Sequence, residues 1–206
     1  MSRGLLLVFE GIDASGKSTQ ARRVAELHDA HFAFEPGDSP LGVDLRRWLL
    51  DASTPMKPET EALLMLSDRS HHVHTVIEPA LGRGRDVVLD RYFASTLAYQ
   101  GYGRGVDLAD LRAATELAIG TCQPDLTILI DIDLDVANDR RARDAKDRFE
   151  SADLDFHARV RGGYLDLAHE FGDRWFVVDG SRSEDEVARD IDERLAVLAW
   201  THGCRL

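Results

Sequence analysis

The chain lacks the long apolar runs and clustered cysteines that mark several common protein classes. No hydrophobic stretch approaches the roughly 20 residues that a membrane-spanning helix needs, and the N-terminal sequence shows no signal-peptide pattern. The two cysteines, Cys122 and Cys204, stand apart without metal-site spacing, which fits a reducing compartment where disulfides are not expected. We therefore expect a cytoplasmic protein that makes no membrane contact.

Positive charge is also scarce, since 25 Lys and Arg residues stand against 37 Asp and Glu residues, for a formal net charge of −12. Such a chain repels a long nucleic acid, so any phosphate-bearing ligand must be small and locally paired with cations. With 206 residues, 44% of them hydrophobic, and no interdomain linker or internal repeat, the chain suits a single domain, residues 1–206.

Five apolar runs alternate with helical patterns along the chain. The strands are predicted at residues 5–9, 31–34, 86–89, 126–131 and 175–178. The helices are predicted at residues 19–25, 45–50, 59–81, 95–99, 108–119, 136–143, 155–171 and 184–198, and residues 101–105 are predicted to form a flexible polar loop. This alternation predicts an α/β fold with a parallel sheet of about five strands flanked by helices, whose ligands bind at the carboxyl ends of the strands.

A glycine-rich motif directly follows the first strand. It fits the pattern G-x-x-x-x-G-K-S/T, in which backbone N–H groups and the start of the next helix hold a polyphosphate. Its residues are Gly11, Ile12, Asp13, Ala14, Ser15, Gly16, Lys17 and Ser18. We expect Lys17 to reach the outer phosphates and Ser18 to hold Mg²⁺, the alternative being a glycine-rich turn without a ligand.

Asp90 and Arg91 come where the third strand runs out onto the expected ligand edge. The Asp90 carboxylate could orient Mg²⁺ beside Ser18, and Arg91 could hold a phosphate through two parallel hydrogen bonds. The alternative is a surface ion pair that caps the strand.

Two weaker patterns come before Asp90 and Arg91 in the sequence. Glu35 and Pro36 end the second strand and make either a rigid shelf at the same edge or an ordinary turn. Met65 and Arg69 lie four residues apart on one helical face, so that one could cover a base while the other bonds to it. Otherwise they are a core methionine and a surface arginine.

Polar side chains also follow Arg91. Ser95 and Tyr99 lie one helical turn apart, and Gln100 comes next. Their hydroxyl, ring and amide groups could bind a sugar and a base, although a helix cap followed by an amphipathic turn explains the same letters.

Five cations lie within nine residues, namely Arg140, Arg141, Arg143, Lys146 and Arg148. They form either a solvated helix face or a mobile arm that brings cations to a transferring phosphoryl group. The histidines His71, His72 and His74 are not interpreted as a metal site, because they fall within one predicted helix and no carboxylates or cysteines with matching spacing accompany them.

Taken in order and spacing, short motifs along nearly the whole chain resemble those of bacterial thymidylate kinases. They are Phe9-Glu10-Gly11-Ile12-Asp13-Ala14-Ser15-Gly16-Lys17-Ser18, Glu35-Pro36-Gly37, Asp68-Arg69, Asp90-Arg91-Tyr92, Ala98-Tyr99-Gln100-Gly101, Gly103-Arg104-Gly105, Pro124-Asp125-Leu126-Thr127 and Asp147-Arg148-Phe149-Glu150. The resemblance implies a P-loop kinase fold with a short mobile lid at about residues 140–150. It also implies a homodimer that transfers the γ-phosphoryl group of ATP to dTMP with Mg²⁺, giving ADP and dTDP in dTTP biosynthesis.

The resemblance also implies roles for single residues. The residues implied to act in catalysis are Lys17, Arg91, Arg143 and Arg148. Those implied to bind the acceptor nucleotide are Asp13, Glu35, Pro36, Met65, Arg69, Arg91, Ser95, Tyr99, Gln100 and Glu150. Among them, Arg91 is implied to bind the acceptor phosphate and Arg69 the thymine edge. The Glu35–Pro36 peptide bond is expected to be cis, and Ser18 and Asp90 are implied to hold the metal.

Other functions remain open from the sequence. One is a kinase of the same fold whose acceptor is dUMP or a nucleoside. Another is a nucleotide-binding protein without catalysis, supported by Phe34 and Met65, which stand where many bacterial relatives have arginine and phenylalanine. A GTPase switch is less favoured because the Asn-Lys-x-Asp signature of guanine selection is absent.

Overall fold

The structure is a computed structural model that describes residues 3–51, 53–141, 149 and 153–202. Within these residues, no helix combines the length and the apolar character that crossing a bilayer requires.

A parallel sheet of five strands forms the centre of the fold. The strands are β1 (Leu6–Glu10), β2 (His31–Phe34), β3 (Val87–Asp90), β4 (Leu126–Asp131) and β5 (Trp175–Asp179). Their order is β2-β3-β1-β4-β5, with every neighbouring pair parallel. Continuous apolar sequence suits β1, β3 and β4 because helices cover both of their faces. The predicted α/β fold and all five strands are confirmed, with ends shifted by one residue at most.

Helices connect the strands. They are α1 (Lys17–Leu27), α2 (Pro40–Leu50), α3 (Pro58–His72), α4 (Glu78–Gly82), α5 (Phe93–Thr96), α6 (Leu108–Ile119), α7 (Leu134–Arg141), α8 (Leu154–Phe171) and α9 (Glu184–His202). Two π-helical segments occur as well, π1 (Val73–Ile77) and π2 (Leu97–Gly103). Helix α2 begins five residues earlier than predicted, because Ser39 caps it by accepting a hydrogen bond from Gly42 N at 2.9 Å.

The prediction of one continuous helix over residues 59–81 was wrong. The segment is divided into α3, π1 and α4, and Pro79 lies in the first turn of α4. Proline has no N–H to donate to the preceding turn, and its ring crowds the carbonyl four residues earlier. The helix therefore widens into π1 just before the proline.

The prediction of a flexible loop over residues 101–105 was wrong for residues 101–103, although Arg104 and Gly105 do lie outside the helical segments. Gly101 and Gly103 lie within π2 and are buried. A Cβ atom at Gly101 would lie 2.4 Å from the side chain of Leu108, and one at Gly103 would lie 2.6 Å from the ring of Phe156. These glycines therefore allow close packing of π2 rather than chain flexibility. The predicted helix over residues 95–99 is likewise the junction of α5 and π2.

The sheet separates two apolar cores. Leu6 and Val8 of β1 point into one core, with side chains of α3, α6 and α8, while Leu7 and Phe9 point into the other, with side chains of α1 and α9. Since all strands are parallel, their carboxyl ends form one edge of the sheet. Three acidic residues of this edge, Glu10, Asp90 and Asp131, end β1, β3 and β4.

We predict that Gly163→Ala destabilises the protein, because helix α8 packs closely on π2 at this glycine. An added Cβ would lie 2.5 Å from the ring of Tyr102, and overpacking of this kind costs about 1–3 kcal/mol. Chemical denaturation measures the change in the free energy of unfolding.

The neighbouring Gly162 is the matched control, since it is exposed on the same helix and a Cβ there meets nothing within 4 Å. Gly162→Ala should raise the free energy of unfolding by roughly 0.5–1 kcal/mol through helix propensity. Equal effects of the two substitutions would contradict this account of the packing.

Candidate active site

The glycine-rich loop joins β1 to α1 at the carboxyl edge of the sheet. Gly11 and Gly16 have φ angles of 146° and 92°, and Gly16 is the N-cap residue of α1. A Cβ at Gly11 would lie 2.5 Å from the carbonyl oxygen of Ile130, so glycine is required there. Among the described residues no side chain caps α1, and its first N–H groups are therefore available to an anion.

Lys17 lies in the first turn of α1 and is buried, with its Nζ 3.7 Å from Asp13 Oδ1. Burial lowers the pKa of Lys17, as does the nearby Arg91 guanidinium, while Asp13, Asp90 and Glu10 oppose that change. A phosphate between Lys17 and Arg91 would add the negative charge that this arrangement favours.

Ser18 and Asp90 meet as expected for a metal site. Ser18 Oγ donates to Asp90 Oδ2 at 2.5 Å, and Asp90 Oδ1 is buried without a hydrogen-bond partner among the described residues. A hydroxyl and a carboxylate with an unused oxygen are the donors that Mg²⁺ takes beside substrate phosphates. These two residues therefore fit Mg²⁺.

Arg91 connects the phosphate loop to the opposite wall of the site. Its backbone is left-handed, with φ 69°, and its guanidinium donates to Gly11 O at 3.1 Å, to Tyr99 OH at 3.2 Å and to Asp13 Oδ1. Tyr99 OH in turn donates to Asp13 Oδ2 at 2.9 Å. Arg91 is largely buried in this network, so the alternative of a surface ion pair is wrong.

Glu10 and Tyr164 complete the hydrogen-bond network around Arg91, and no sequence motif indicated a role for either residue. Glu10 Oε2 accepts from Ser95 Oγ at 2.7 Å and from Tyr164 OH at 3.0 Å, and both hydroxyls also accept from Arg91 Nη1 at 3.2 Å. Burial raises the pKa of Glu10, and the hydrogen bond from Ser95 is the largest opposing effect. Tyr164 comes from α8, so no local motif could have indicated it.

A cavity of about 790 Å³ opens beside this network. It brings together predicted site residues from β3, α1, α3, α5 and π2 and from the segments that follow β1, β2 and β3. They are Asp13, Lys17, Ser18, Glu35, Pro36, Met65, Arg69, Asp90, Arg91, Ser95, Tyr99 and Gln100. The predicted residues Arg143, Arg148 and Glu150 lie outside the described residues.

The Glu35–Pro36 peptide bond is cis, as the resemblance implied. Glu35 is buried and accepts from Arg69 Nε at 2.8 Å. Arg69 also donates to Thr96 Oγ1 at 2.8 Å and to Tyr92 O at 3.0 Å. Arg69 is only 2% exposed, so the alternative of a surface arginine is wrong, and Arg69 lines the cavity.

Phe34 is accompanied by an arginine that no sequence motif indicated. Arg46 of α2 lines the cavity, with its guanidinium carbon 5.7 Å from the centre of the Phe34 ring. Arg46 Nη1 also donates to Pro36 O at 2.6 Å. A cation therefore lies beside Phe34, supplied by a helix rather than by the strand end.

The first cation of the 140–148 cluster contacts the phosphate loop. Arg140 donates to Ala14 O at 3.2 Å and to Gly180 O at 2.9 Å. It thereby connects α7 to both the phosphate loop and the segment that follows β5.

His72, one of the three neighbouring histidines, is fully buried beneath the cavity. Its Nδ1 lies 3.0 Å from Glu35 Oε1, and its Nε2 lies 3.6 Å from Asp38 Oδ2, an ion-pair distance that is too long for a hydrogen bond. Burial alone lowers the pKa of His72, but attraction to Asp38 and Glu35 outweighs burial and raises that pKa to about 9. Glu35 is thus held between two cations, Arg69 and His72.

Comparisons with known proteins agree on one family. The family model described as thymidylate kinase matches residues 9–191. A thymidylate kinase of Deinococcus radiodurans is 45% identical over 197 residues, covering 93% of this chain and 96% of the relative. One of Dinoroseobacter shibae is 46% identical over 208 residues, covering 95% and 98%.

A solved structure leads to the same family. The crystal structure of a thymidylate kinase from Ehrlichia chaffeensis superposes with a TM-score of 0.76 at 29% sequence identity, and covers 94% of this chain and 99% of that one. The resemblance stated from the motifs is confirmed by these comparisons, as is the P-loop kinase fold.

We predict that His72 makes stability depend on pH. Because the folded-state pKa of His72 is about 9 and its ordinary value is 6.5, its stabilisation is complete below about pH 6.5 and is lost as the pH rises through about 9. The loss should reach about 3 kcal/mol. Denaturation of the protein and of its His72→Gln variant across this range measures it, and the variant should lack that part of the decrease.

His74→Gln is the control, because His74 is exposed on the adjoining π1 segment. It should keep the pH dependence of the unsubstituted protein. If His72→Gln kept that dependence as well, the proposed charge of His72 would be refuted.

Proposed function

The chain belongs to the thymidylate kinase family, and from that premise we propose that its cavity aligns ATP and dTMP end to end for transfer of the γ-phosphoryl group. The protein is a nucleoside monophosphate kinase that phosphorylates dTMP. The single observation that carries the proposal is the continuity of the cavity, which is lined by Lys17 and Ser18 of the phosphate loop as well as by Arg69 and Gln100.

The donor side of the proposal rests on the phosphate loop. Residues 11–18 would hold the ATP phosphates through backbone N–H groups, and Lys17 would contact the outer phosphates. Ser18 and Asp90 would hold Mg²⁺, which when bound neutralises phosphate charge and orients the phosphate oxygens.

The acceptor side uses the opposite wall. Arg91 would bind the dTMP phosphate, so that its guanidinium would be shared between that phosphate and Asp13. Glu35 and Pro36 would border the phosphate. Ser95, Tyr99 and Gln100 would contact the nucleoside, with Tyr99 under the sugar, where it disfavours a 2′-hydroxyl. Arg69 would donate to the thymine edge, Met65 would cover the base, and Glu150 would lie near the sugar.

The reaction demands little proton transfer from the protein. The attacking oxygen of dTMP is already anionic, so the barrier is lowered chiefly by alignment and by neutralising the charge shared between the two phosphates. Lys17 and Arg91 would supply that positive charge from fixed positions. Arg143 and Arg148, in the lid proposed for residues 140–150, would supply the rest.

We also propose a single domain over residues 1–206 that forms a homodimer in the cytoplasm. Support for the dimer comes from leucines that stand exposed on two helices that pack together, Leu63 on α3 and Leu117 on α6. Exposed apolar side chains mark a contact surface when they form a contiguous patch, and the proposal places such a patch across α3 and α6. A cytoplasmic location would give the enzyme access to its charged nucleotide substrates.

A panel of acceptors tests the function. With ATP and Mg²⁺, dTMP should give ADP and dTDP at the highest kcat/KM, above dUMP and dCMP, while thymidine should give none. Coupled ADP release measures the rates. A preference for thymidine would indicate a nucleoside kinase, and ATP binding without acceptor-dependent ADP release would indicate a catalytically silent protein.

We predict that Lys17→Ala reduces kcat by about 10²–10³-fold or more, because it removes a fixed cation from the transferring phosphoryl group. Circular dichroism should show an unchanged fold, since the side chain faces the cavity. Lys57→Ala is the matched control, because Lys57 is exposed at the start of α3. Near-normal turnover of Lys17→Ala would remove Lys17 from the mechanism.

A further inference from the structure

A buried carboxylate on α3 lies outside the phosphate-binding machinery. Glu61, in the first turn of the helix, is only 2% exposed, whereas Glu59 in the same turn is exposed. Burying a carboxylate is costly unless it is paired and hydrogen-bonded. The partners of Glu61 therefore indicate what its burial achieves.

Its partners are Gln100 and Arg104. Gln100 Nε2 donates to Glu61 Oε1 at 2.9 Å, and both side chains are almost fully buried. Arg104 lies beside the same carboxylate, with its Nε 3.4 Å from Oε1 and its Nη2 3.5 Å from Oε2. The hydrogen bond to Gln100 is thus the shortest contact, and Arg104 supplies the neighbouring positive charge.

A carboxylate can only accept hydrogen bonds, whereas a glutamine amide has one end that donates and one that accepts. With its NH₂ group on Glu61, Gln100 keeps its carbonyl oxygen for the cavity that it lines. The opposite orientation would place two acceptors against each other. Glu61 therefore determines which end of the amide is available to a ligand.

The orientation of the Gln100 amide determines which base of an acceptor nucleotide it can bind. A thymine edge presents an acceptor at O4 and a donor at N3–H, whereas a cytosine edge presents a donor at N4 and an acceptor at N3. Arg69, which also lines the cavity, can only donate. An arginine donor with a glutamine carbonyl next to it complements thymine and opposes cytosine.

We propose that Glu61 is a positioning residue for base selection, which fixes the Gln100 amide so that it accepts from the N3–H of the acceptor base. The proposal rests on the function proposed above, since it requires dTMP in this cavity. It extends that function by assigning thymine-over-cytosine selectivity to a side chain that itself need not touch the nucleotide.

Glu61→Gln tests it, because a glutamine at this position can pair with Gln100 in either direction. The kcat/KM ratio of dTMP over dCMP should fall by about tenfold or more. The change should come from the KM for dTMP rather than the KM for ATP. Where dCMP turnover is undetectable, the inhibition constant of dCMP against dTMP reports the relative binding of the two nucleotides, and the preference for binding dTMP should fall by a similar factor.

A comparison with dUMP distinguishes the proposed role from a purely structural defect. Uracil presents the same O4 and N3–H groups as thymine, so Glu61→Gln should leave the dTMP over dUMP ratio unchanged while the dCMP ratio changes. Glu59→Gln is the matched control, the same chemical change on the exposed face of the same turn, and should alter no ratio. A loss of selectivity that affected dUMP and dCMP alike would overturn the proposal.

A double-mutant cycle with Gln100→Ala tests whether Glu61 acts through Gln100. In the Gln100→Ala background, Glu61→Gln should cause no further loss of selectivity, and an equal loss there would overturn the proposal.

Should Glu61→Gln not fold, Glu61→Asp withdraws the carboxylate from the amide while keeping its charge, and the same loss of selectivity is expected. Absence of dTMP phosphorylation by the unsubstituted protein would refute the proposed function instead, whereas unchanged selectivity in an active variant would refute only the role of Glu61.

Discussion

The contact between Arg91 and Asp13 is the constraint on which the site depends. It joins the phosphate loop, which is built on β1, to the segment that follows β3, and so holds the two halves of the cavity together. The adjacent parallel strands bring these residues to the same edge, and the left-handed backbone of Arg91 turns its side chain toward the loop. A site for two anions is thereby organised around one guanidinium.

Three buried glutamates repeat one arrangement. Glu10 accepts from Ser95, Glu35 from Arg69, and Glu61 from Gln100, and of the three glutamates Glu35 also lines the cavity itself. In each case a carboxylate accepts from a polar group that also lines the cavity, so the rotamer of that group is fixed before a ligand arrives. Fixed donors and acceptors reduce the reorganisation that binding would otherwise require. This arrangement also explains why an acidic chain can build a site for phosphates, since its buried acids orient the cations instead of opposing the ligand.

The sequence allowed the strands and the phosphate loop to be predicted because their signals are local. Continuous apolar runs identified all five strands, and the spacing of glycine and lysine identified residues 11–18. Glu10 and Tyr164 were missed because their roles arise from long-range packing, since Tyr164 meets Glu10 from 154 positions away. Arg46 was missed because its contacts with Pro36 and Phe34 depend on how α2 packs against the end of β2. The two π segments were missed for a related reason. Pro79 could have indicated the first, but the second depends on how closely Gly101 and Gly103 approach Leu108 and Phe156.

The second of these segments, π2, shapes what the cavity can recognise. Along a regular α-helix, successive side chains point about 100° apart around the axis, which tends to turn one of two neighbours away from a ligand. The wider turn of a π-helix reduces that angle, and the consecutive residues Tyr99 and Gln100 both line the cavity. The winding of this short stretch therefore contributes to nucleotide recognition together with the identity of its side chains.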